Sequence, residues 1–541
     1  MSSNATAGDE TRVNTFTTGN QGFSSVIGLA DGGWLVAWDS NEQDGDSWGI
    51  YQQRYDADGA SVGTEMHVST HTTGEQEDAN VTVLDDGGWV VTWTSSAQDG
   101  SGSGIYQQRY DADGVSVGDE TLVNTQTADV QNGASVAALS DGGWVVTWQS
   151  FGVDGGGYGI SQQRYGANGA TVGGETTVNT YTTSGQNDPS VVALAGGGWV
   201  VTWHSSGQDG SGSGIYQRRY DAQGIATADE TPVNTVTTSG QLYSSATALA
   251  DGGWLVAWES SDQDGSGVGI YLQRYDAGGA TVGVETQVNT HTTGTQGFPS
   301  VTALDDGGWV VVWNSNGQDG SGIGVYQQRY DVDGVASGTE TLVNSYTTGE
   351  QYTHSVAALD DGSWVVTWYS EDQDDGTFGV YQRHYAPDRN GTEAGDILRG
   401  TNWSETIASH GGADVLKGLG GDDIIDGCHG RDRMWGGTGG DTFLFGDGDS
   451  AAKKAKADTI FDMTHDDQID LHLIDARKTP IDDQAFKFIG TKQFTGHEGE
   501  LRYEKLKSDT YIYGDTDGDK KADFAIHLDD AMKLKAVDFA L

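Results

Sequence analysis

Six acidic residues stand nine apart near the end of the chain: Asp396, Glu405, Asp414, Asp423, Asp432 and Asp441. An apolar residue follows each by two, namely Leu398, Ile407, Leu416, Ile425, Met434 and Phe443, and glycines fill much of the interval. Carboxylates and loop carbonyls on so short a period form a stack of hard oxygen ligands, the donor set that calcium prefers. The apolar residues give a thin core that cannot hold mutually repelling acids together unaided, so metal binding and folding should be one event. A second set is spread wider. Seven positions 55 apart carry seven different residues, Asp39, Thr94, Gln149, His204, Glu259, Asn314 and Tyr369, all polar or hydrogen-bonding. His204, Glu259, Asp39 and Tyr369 are types that general acid–base chemistry uses. The bland reading of the same set is an exposed position that drifts.

The elements that must carry these residues are written in two tryptophan series of the same period. Trp34, Trp89, Trp144, Trp199, Trp254, Trp309 and Trp364 are each followed four residues later by Trp38, Trp93, Trp148, Trp203, Trp258, Trp313 and Trp368. A fixed period over nearly 400 residues means a propeller, solenoid or array. One unit, residues 65–119, reads as four short strands at 65–70, 80–84, 89–93 and 105–110, parted by Asp-Gly and Gly-Gly turns. Seven units of four antiparallel strands describe a seven-bladed β-propeller. The last unit lacks its fourth strand, and the segment Glu10 to Thr15 at the other end of the chain should supply it. The tryptophans are expected between blades as core, with sugar stacking as the alternative.

Other positions recur. The glutamates of the Glu10, Glu65, Glu120 series lie across a hairpin from the arginines of the Arg54, Arg109, Arg164 series, which suggests a cross-strand ion pair. Gln21 and Asp44 and their equivalents up to Gln351 and Asp374 fall in loops on one face, where a cation per blade is an alternative to plain turns. The seven-type position should emerge on that face, at the mouth of the central channel. The segments Gly22-Phe23, Asn187-Asp188, Leu242-Tyr243 and Tyr352-Thr353 vary there too. The functional reading is a ring of distinct groups that recognises one asymmetric ligand.

Charge narrows the partners. The net charge is −51. Residues 1–390 hold no lysine and ten arginines against 49 acidic residues, or −39, and the remainder carries −12. Such a field repels nucleic acid and anionic membrane and attracts cations. The one cysteine, Cys428, rules out an internal disulfide. No apolar run is long enough for a membrane helix, and Met1 to Arg12 has neither the basic start nor the apolar centre of a cleaved export signal.

The nine-residue copies, best at Gly418 to Ile425 and Gly436 to Phe443, resemble the RTX nonapeptide of the parallel β-roll. Carried over by phase, the ligand Asp of that family falls on Asp396, Asp414, Asp423, Asp432 and Asp441, with Gly421, Gly430 and Gly439 two residues before an Asp. The copy from Gly400 to Ile407 departs from the pattern, with Trp403 for a glycine and Glu405 for the Asp. Residues 442–541, from Phe443-Leu444-Phe445-Gly446 through Ala457-Asp458-Thr459-Ile460 and Asp467-Gln468-Ile469-Asp470 to the terminal Asp538-Phe539-Ala540-Leu541, resemble the C-terminal domain of serralysin-type (M10) secreted proteases. The resemblance implies calcium as cofactor, a type I ABC export machinery as partner, and an extracellular protein with no cleaved leader. It does not bring proteolysis, because no His-Glu-x-x-His occurs. Asp515 to Asp519 reads equally as a calcium loop or a hairpin turn.

The expected organisation is all-β: a propeller over 1–387, a parallel calcium-binding roll over 391–445 and a sandwich-like cap over 446–541. The expected function is non-catalytic binding of a glycan, matrix polymer or cell surface. The alternatives are a polysaccharide lyase or glycoside hydrolase working on the top face, and a structural surface component.

Overall fold

The computed structural model describes residues 6–374, 377–477 and 484–541, with 353, 354 and 374 described by backbone alone. Asp9–His384 forms one compact unit, and Tyr385–Leu541 forms a second together with residues 6–8. The first unit is a seven-bladed β-propeller. In the first blade the strands are Gln21–Gly28, Trp34–Asn41, Trp48–Tyr55 and Ser61–His67, in that order and antiparallel. The next five blades repeat this order, with the fourth strand cut to Thr121–Leu122 in blade two and Thr231–Pro232 in blade four. In the seventh blade the outer position is taken by Thr11–Arg12, where Thr11 lies opposite Gln382 and Arg12 opposite Tyr381. Val13 N–H then donates to the Val380 carbonyl (2.8 Å), and Asn14 Oδ1 accepts from Val380 N–H (2.8 Å). The N-terminal segment therefore completes the last sheet.

The second strand of each blade is buried along nearly its whole length, and between its two tryptophans it holds only Val, Leu, Ala or Thr, as in Trp-Val-Val-Thr-Trp of blade two. The Trp34 indole N–H donates to Gln382 Oε1 of the preceding blade (2.7 Å), and Trp89, Trp144, Trp199, Trp254 and Trp364 do the same at 2.9–3.0 Å. In blade six the acceptor is missing because Leu272 stands where the other blades have glutamine, and the Trp309 N–H makes no hydrogen bond. Both tryptophan series are almost wholly buried, so neither offers a face to a sugar ring.

Three expectations are corrected. The first strand of blade two begins at Gln76 rather than Asn80, because a bulge between Glu77 and Asn80 lets Gln76 and Glu77 pair with Ser95 and Thr94. The fourth strand of blade one runs Ser61–His67 rather than 65–70. The Arg–Glu pair does not form. Arg54 Nη2 bonds Asp31 of its own blade (3.0 Å), its Nη1 bonds the Ala112 carbonyl of the next blade, and its guanidinium lies over Trp89 there. Arg109, Arg164, Arg274 and Arg329 pair likewise with Asp86, Asp141, Asp251 and Asp306. In blade four Gly196 replaces that aspartate, and Arg219 turns to the carbonyls of Ala277 and Gly278. The glutamates instead tie blades together: Glu65 Oε2 accepts from Thr15 N–H (2.8 Å), and the contact recurs down to Glu10 with Ser345.

The second unit is built on two large sheets, with a small third one where Gly411–Gly412 pairs with His429–Gly430. Two-to-six-residue strands pair in parallel with the strand eighteen residues on, as Leu398 with Leu416 and Ile407 with Ile425. Ile407, Leu416, Ile425, Met434 and Phe443 are fully buried between the sheets. The same sheets continue past residue 446 and gain antiparallel strands at Glu500–Lys505, Thr510–Asp515 and Phe524–Leu528, and one core runs from Ile407 to Phe539. Among the described residues no helix is long and apolar enough to cross a membrane.

Candidate functional site

The first strands of consecutive blades touch one another round a closed ring of seven and so line the propeller axis. They are stapled by side chains: Asn80 Oδ1 accepts from Val136 N–H (3.1 Å), and Ser135, Ser190, Ser245 and Ser355 make the same bond to their neighbours. Above each staple the strand bulges. The bulge residue is Phe23, Asp78, Gly133, Asp188, Tyr243 or Phe298, each at φ between 48° and 64°. Thr353, the seventh, lies outside the described side chains.

The seven-type series sits one layer beneath this ring. Asp39, Thr94, Gln149, His204, Glu259 and Asn314 are buried, and Tyr369 is half-buried, so their expected exposure is overturned. The physical reason is the bulge. It carries the next blade's first strand over the end of the second strand, and the buried side chain below meets its amides. Asp39 Oδ2 accepts from Asp78 N–H (2.9 Å), Gln149 Oε1 from Asp188 N–H (2.9 Å) and Glu259 Oε2 from Phe298 N–H (3.2 Å). Tyr369 packs its ring against Phe23 instead (5.4 Å). At Asp39, Gln149, Glu259 and Tyr369 the residue type therefore suits the bulge it supports. The ring nearest the surface is the bulge series, with Phe23, Tyr243 and Phe298 exposed and Asp78, Gly133 and Asp188 half-buried; the sequence had marked only its neighbourhood, and its signal is that types as unlike as Phe, Asp, Gly and Tyr occupy one strand position.

At the mouth, Asp78, Asp188, Tyr243, Phe298, Pro189 and Pro299 line a depression of about 310 Å³. Tyr243 and Phe298 are in contact (4.5 Å between ring centres) and half open to solvent. His204 Nδ1 makes no hydrogen bond and stands 3.4 Å from Asp188 Oδ2. Burial, with the charge of Asp78 adding to it, lifts the Asp188 carboxyl to about 6. Burial lifts Glu259 to about 7 and drops His204 to about 4. The neutral states of these groups are favoured by desolvation, as in any apolar recess.

Glu259 gives a signed prediction. Its folded pKa stands above the ordinary 4.5, so between about pH 4.5 and 7 the unfolded chain sheds the proton first. Stability due to this group then falls as pH rises. Glu259→Gln keeps the acceptor for Phe298 N–H, the role Gln149 already fills in blade three. The variant should be more stable than the parent by about 1–3 kcal/mol at pH 8, with the gain vanishing near pH 4. Thermal melts at the two pH values check this, and a less stable variant at pH 8 would contradict it.

The loop aspartates form turns through one oxygen, and the Oδ2 atoms of Asp44, Asp99, Asp209, Asp264 and Asp319 are buried without a hydrogen-bond partner. Asp44, Asp99, Asp154, Asp209, Asp264 and Asp319 each accept through Oδ1 from the N–H two residues on (2.9–3.2 Å). The side chain of Asp374 lies outside the described set.

In the second unit the nine-residue acids form two ladders. Asp414 Oδ1 accepts from Asp396 N–H, Asp432 from Asp414, Asp423 from Glu405 and Asp441 from Asp423, all at 2.7–3.0 Å. Each ladder goes on across a longer interval to an aspartate the nine-residue count did not include: Asp458 accepts from Asp432 N–H and Asp467 from Asp441 N–H. The signal was present in the sequence, since 458 and 467 are again nine apart and each precedes an apolar residue by two. The second oxygens of Asp414, Asp423, Asp432 and Asp441 are buried and have no hydrogen-bond partner. Asp396 and Glu405 differ: Thr392 donates to Asp396 Oδ2 (2.7 Å), and Thr401 donates to both oxygens of Glu405.

These residues fit a hard cation. Glycine is required around the open oxygens: a Cβ at Gly418 would collide with Asp423 Oδ2 and the Gly436 carbonyl, and one at Gly436 with Asp441 Oδ2. At Gly421, Gly430 and Gly439 a Cβ would collide with backbone of the adjacent turn. Burial first, and the neighbouring acids of the ladder second, lift Asp423 to about 8 and Asp432 to about 7; the same burial lifts Asp441 to about 6. A bound cation reverses that preference by favouring the ionised form. Asp515, Asp517 and Asp523 also cluster, but both oxygens of Asp515 accept backbone N–H groups and Asp523 Oδ2 accepts from Thr516, so this cluster is closed as a turn.

A seven-bladed propeller joined to a two-sheeted parallel roll is thus the class that the fold defines. Within it, residues 392–541 match the family model for the serralysin C-terminal domain of M10 peptidases. No curated protein matches the chain. Solved structures similar to it include a protein of unknown function from Dyadobacter fermentans (11% identity, 70% of this chain and 98% of that one, TM-score 0.44). The AlgE6R3 subunit of the Azotobacter vinelandii mannuronan C5-epimerase is 29% identical over 28% of this chain and 80% of its own (TM-score 0.21). The GH93 α-L-arabinofuranosidase of Fusarium graminearum is 12% identical over 57% and 93% (TM-score 0.40).

Proposed function

We propose that this chain is a calcium-loaded extracellular protein of the RTX type, exported by a type I ABC machinery, whose propeller binds an extracellular glycan, matrix polymer or cell surface. The observation that carries the calcium part is the row of four buried aspartate oxygens without partners, set among glycines that leave no room for a side chain. Calcium bound there would be held by Asp414, Asp423, Asp432 and Asp441 with loop carbonyls, and would cancel the repulsion within each ladder. Asp396 is the weakest of the five proposed carboxylates, because Thr392 already takes its second oxygen. The binding part rests on the mouth, where polar and aromatic side chains of several blades meet in one depression. A second reading, a polysaccharide-acting enzyme on the same face, draws on the approach of His204 to Asp188.

A glycan array probed with the full chain in millimolar calcium and again in chelator tests the proposal. Binding to one class of glycan, with no new reducing ends on long incubation, is the expected result. Release of shortened chains would move the assignment to the enzyme, and a blank array together with no binding to cell surfaces would remove the binding role.

A further inference from the structure

The bulge ring is not uniform round the axis. Its groups divide into half-buried acids, Asp78 in blade two and Asp188 in blade four, and exposed aromatics, Tyr243 in blade five, Phe298 in blade six and Phe23 in blade one. Gly133 in blade three stands between the acids and leaves space there. All of these bulge residues have left-handed backbone, a conformation in which a ring-bearing side chain is uncommon and costs about 1–2 kcal/mol. Gly133 shows that the bulge accepts glycine, so the fold does not demand an aromatic or an acid at the equivalent positions. Tyr243 and Phe298 hold this conformation against that local cost, which points to a role at the mouth itself.

The chemistry of the recess is specific. Among the described residues lining it there is no lysine or arginine, and the propeller around it is strongly acidic. Asp188 keeps its carboxylate partly open, and Glu77 stands beside Asp78. His204, nine-tenths buried, directs an Nδ1 without a hydrogen bond at Asp188, so no fixed positive charge neutralises this side. Beside it, the exposed rings of Tyr243 and Phe298 offer apolar contact, with the buried Pro189 and Pro299 in the wall behind. Carboxylates facing aromatic rings select a cation, which gains from both charge and ring quadrupole. The carboxylates favour one with N–H groups to donate, and the rings favour one carried on a C–H face. Anionic sugars meet only repulsion here.

We propose that the propeller mouth binds an organic ammonium group borne on an apolar face, in the form of an unacetylated amino-sugar oligosaccharide. The inference rests on the reading of the propeller as a ligand-binding body and narrows it to a charge class. The protonated amine lies between Asp78 and Asp188, and the sugar's C–H face stacks on Tyr243 and Phe298. The recess of about 310 Å³ lies at the low end of small-molecule pockets, of about 300–1,000 Å³, and holds the terminal part of such a chain.

Titration calorimetry of the full chain in calcium tests this with four probes: a glucosamine tetramer, the N-acetylglucosamine tetramer, a uronate tetramer and spermidine. The glucosamine tetramer should bind at least tenfold more tightly than its acetylated form, and raised salt should weaken it. Asp188→Asn removes the charge at a backbone conformation asparagine tolerates, and should lower the affinity about tenfold. Phe298→Gly removes the ring and relaxes the bulge, so it should fold at least as well as the parent while losing about tenfold in affinity. Equal or tighter binding of the acetylated or uronate tetramer, lost in Phe298→Gly, would overturn the ammonium assignment and leave the propeller as a glycan binder. Spermidine binding as tightly as the amino sugar, unmoved by Phe298→Gly, would overturn the amino-sugar form. No binding of any probe overturns the inference, and if the array is also blank the wider reading falls with it.

Discussion

Stripped of calcium, the full chain should lose the β structure of Tyr385–Leu541 while the propeller stays folded. Four carboxylates of this unit have a buried oxygen that no donor meets. Leaving a buried charged acceptor unsatisfied costs more than about 1–3 kcal/mol per group. Calcium a hundredfold above its dissociation constant adds about 2.7 kcal/mol per site. Two or more such sites together reach the range of the whole net stability of an ordinary domain, about 5–15 kcal/mol. Far-ultraviolet circular dichroism in chelator and in millimolar calcium reads this directly, and an unchanged spectrum would end the calcium proposal. The variants should rank in a particular way. Asp423→Ala should raise the calcium midpoint more than Asp396→Ala or Glu405→Ala, because Thr392 and Thr401 already occupy the oxygens of the latter two. The midpoint is the deciding quantity, since Glu405 is buried and its loss also costs stability without metal.

The second large effect belongs to the other end of the chain. Removing residues 1–16 takes away the outer strand of blade seven. Val13 and Asn14 are buried there, and Asn14 Nδ2 also donates to Gln21 Oε1 of blade one (3.1 Å). Glu10 accepts from Ser345 N–H (2.6 Å), Ser345 Oγ (2.8 Å) and Gln373 Nε2 (2.5 Å). A buried valine contributes about 1.5–3 kcal/mol and each hydrogen bond to a charged group about 1.5–3 kcal/mol, so the loss is on the order of 5 kcal/mol or more. At roughly 1.3 °C per kcal/mol for a body of this size, the propeller should melt about 6 °C lower or more. Tryptophan fluorescence follows this unit, because all but three of the 17 tryptophans belong to its two repeat series. An unshifted melt would show that the segment does not hold the ring.

Much of this was legible in the sequence. The 55-residue period gave seven blades, because a gap-free repeat has to stack identical units and only its chain ends can differ. The nine-residue period gave the inward apolar row, and Ile407, Leu416, Ile425, Met434 and Phe443 are all fully buried. Both follow from periodicity alone: a side chain's direction is set by its place in a strand, and the repeat multiplies one correct assignment along the chain. The fact that one position carries seven different residue types was also visible, and it did mark a place where blades differ.

What that position does was decided only by tertiary structure. Whether Asp39, Gln149, His204 and Glu259 face water depends on whether the next blade's first strand passes over them, and it passes over them because it bulges at Asp78, Asp188, Tyr243 and Phe298. A bulge is one extra residue held at positive φ, and nothing in the local sequence announces it when the residue is aspartate or phenylalanine rather than glycine. The partners of Arg54 and Glu65 escaped for a related reason. Their spacing suggested each other across a hairpin, but blade-to-blade contact offered Trp89 and Ala112 to the one and Thr15 to the other. The order of strands was carried by the sequence as a period; which side chains meet across blades was settled by the closing of the ring, because that contact joins residues that share no local pattern.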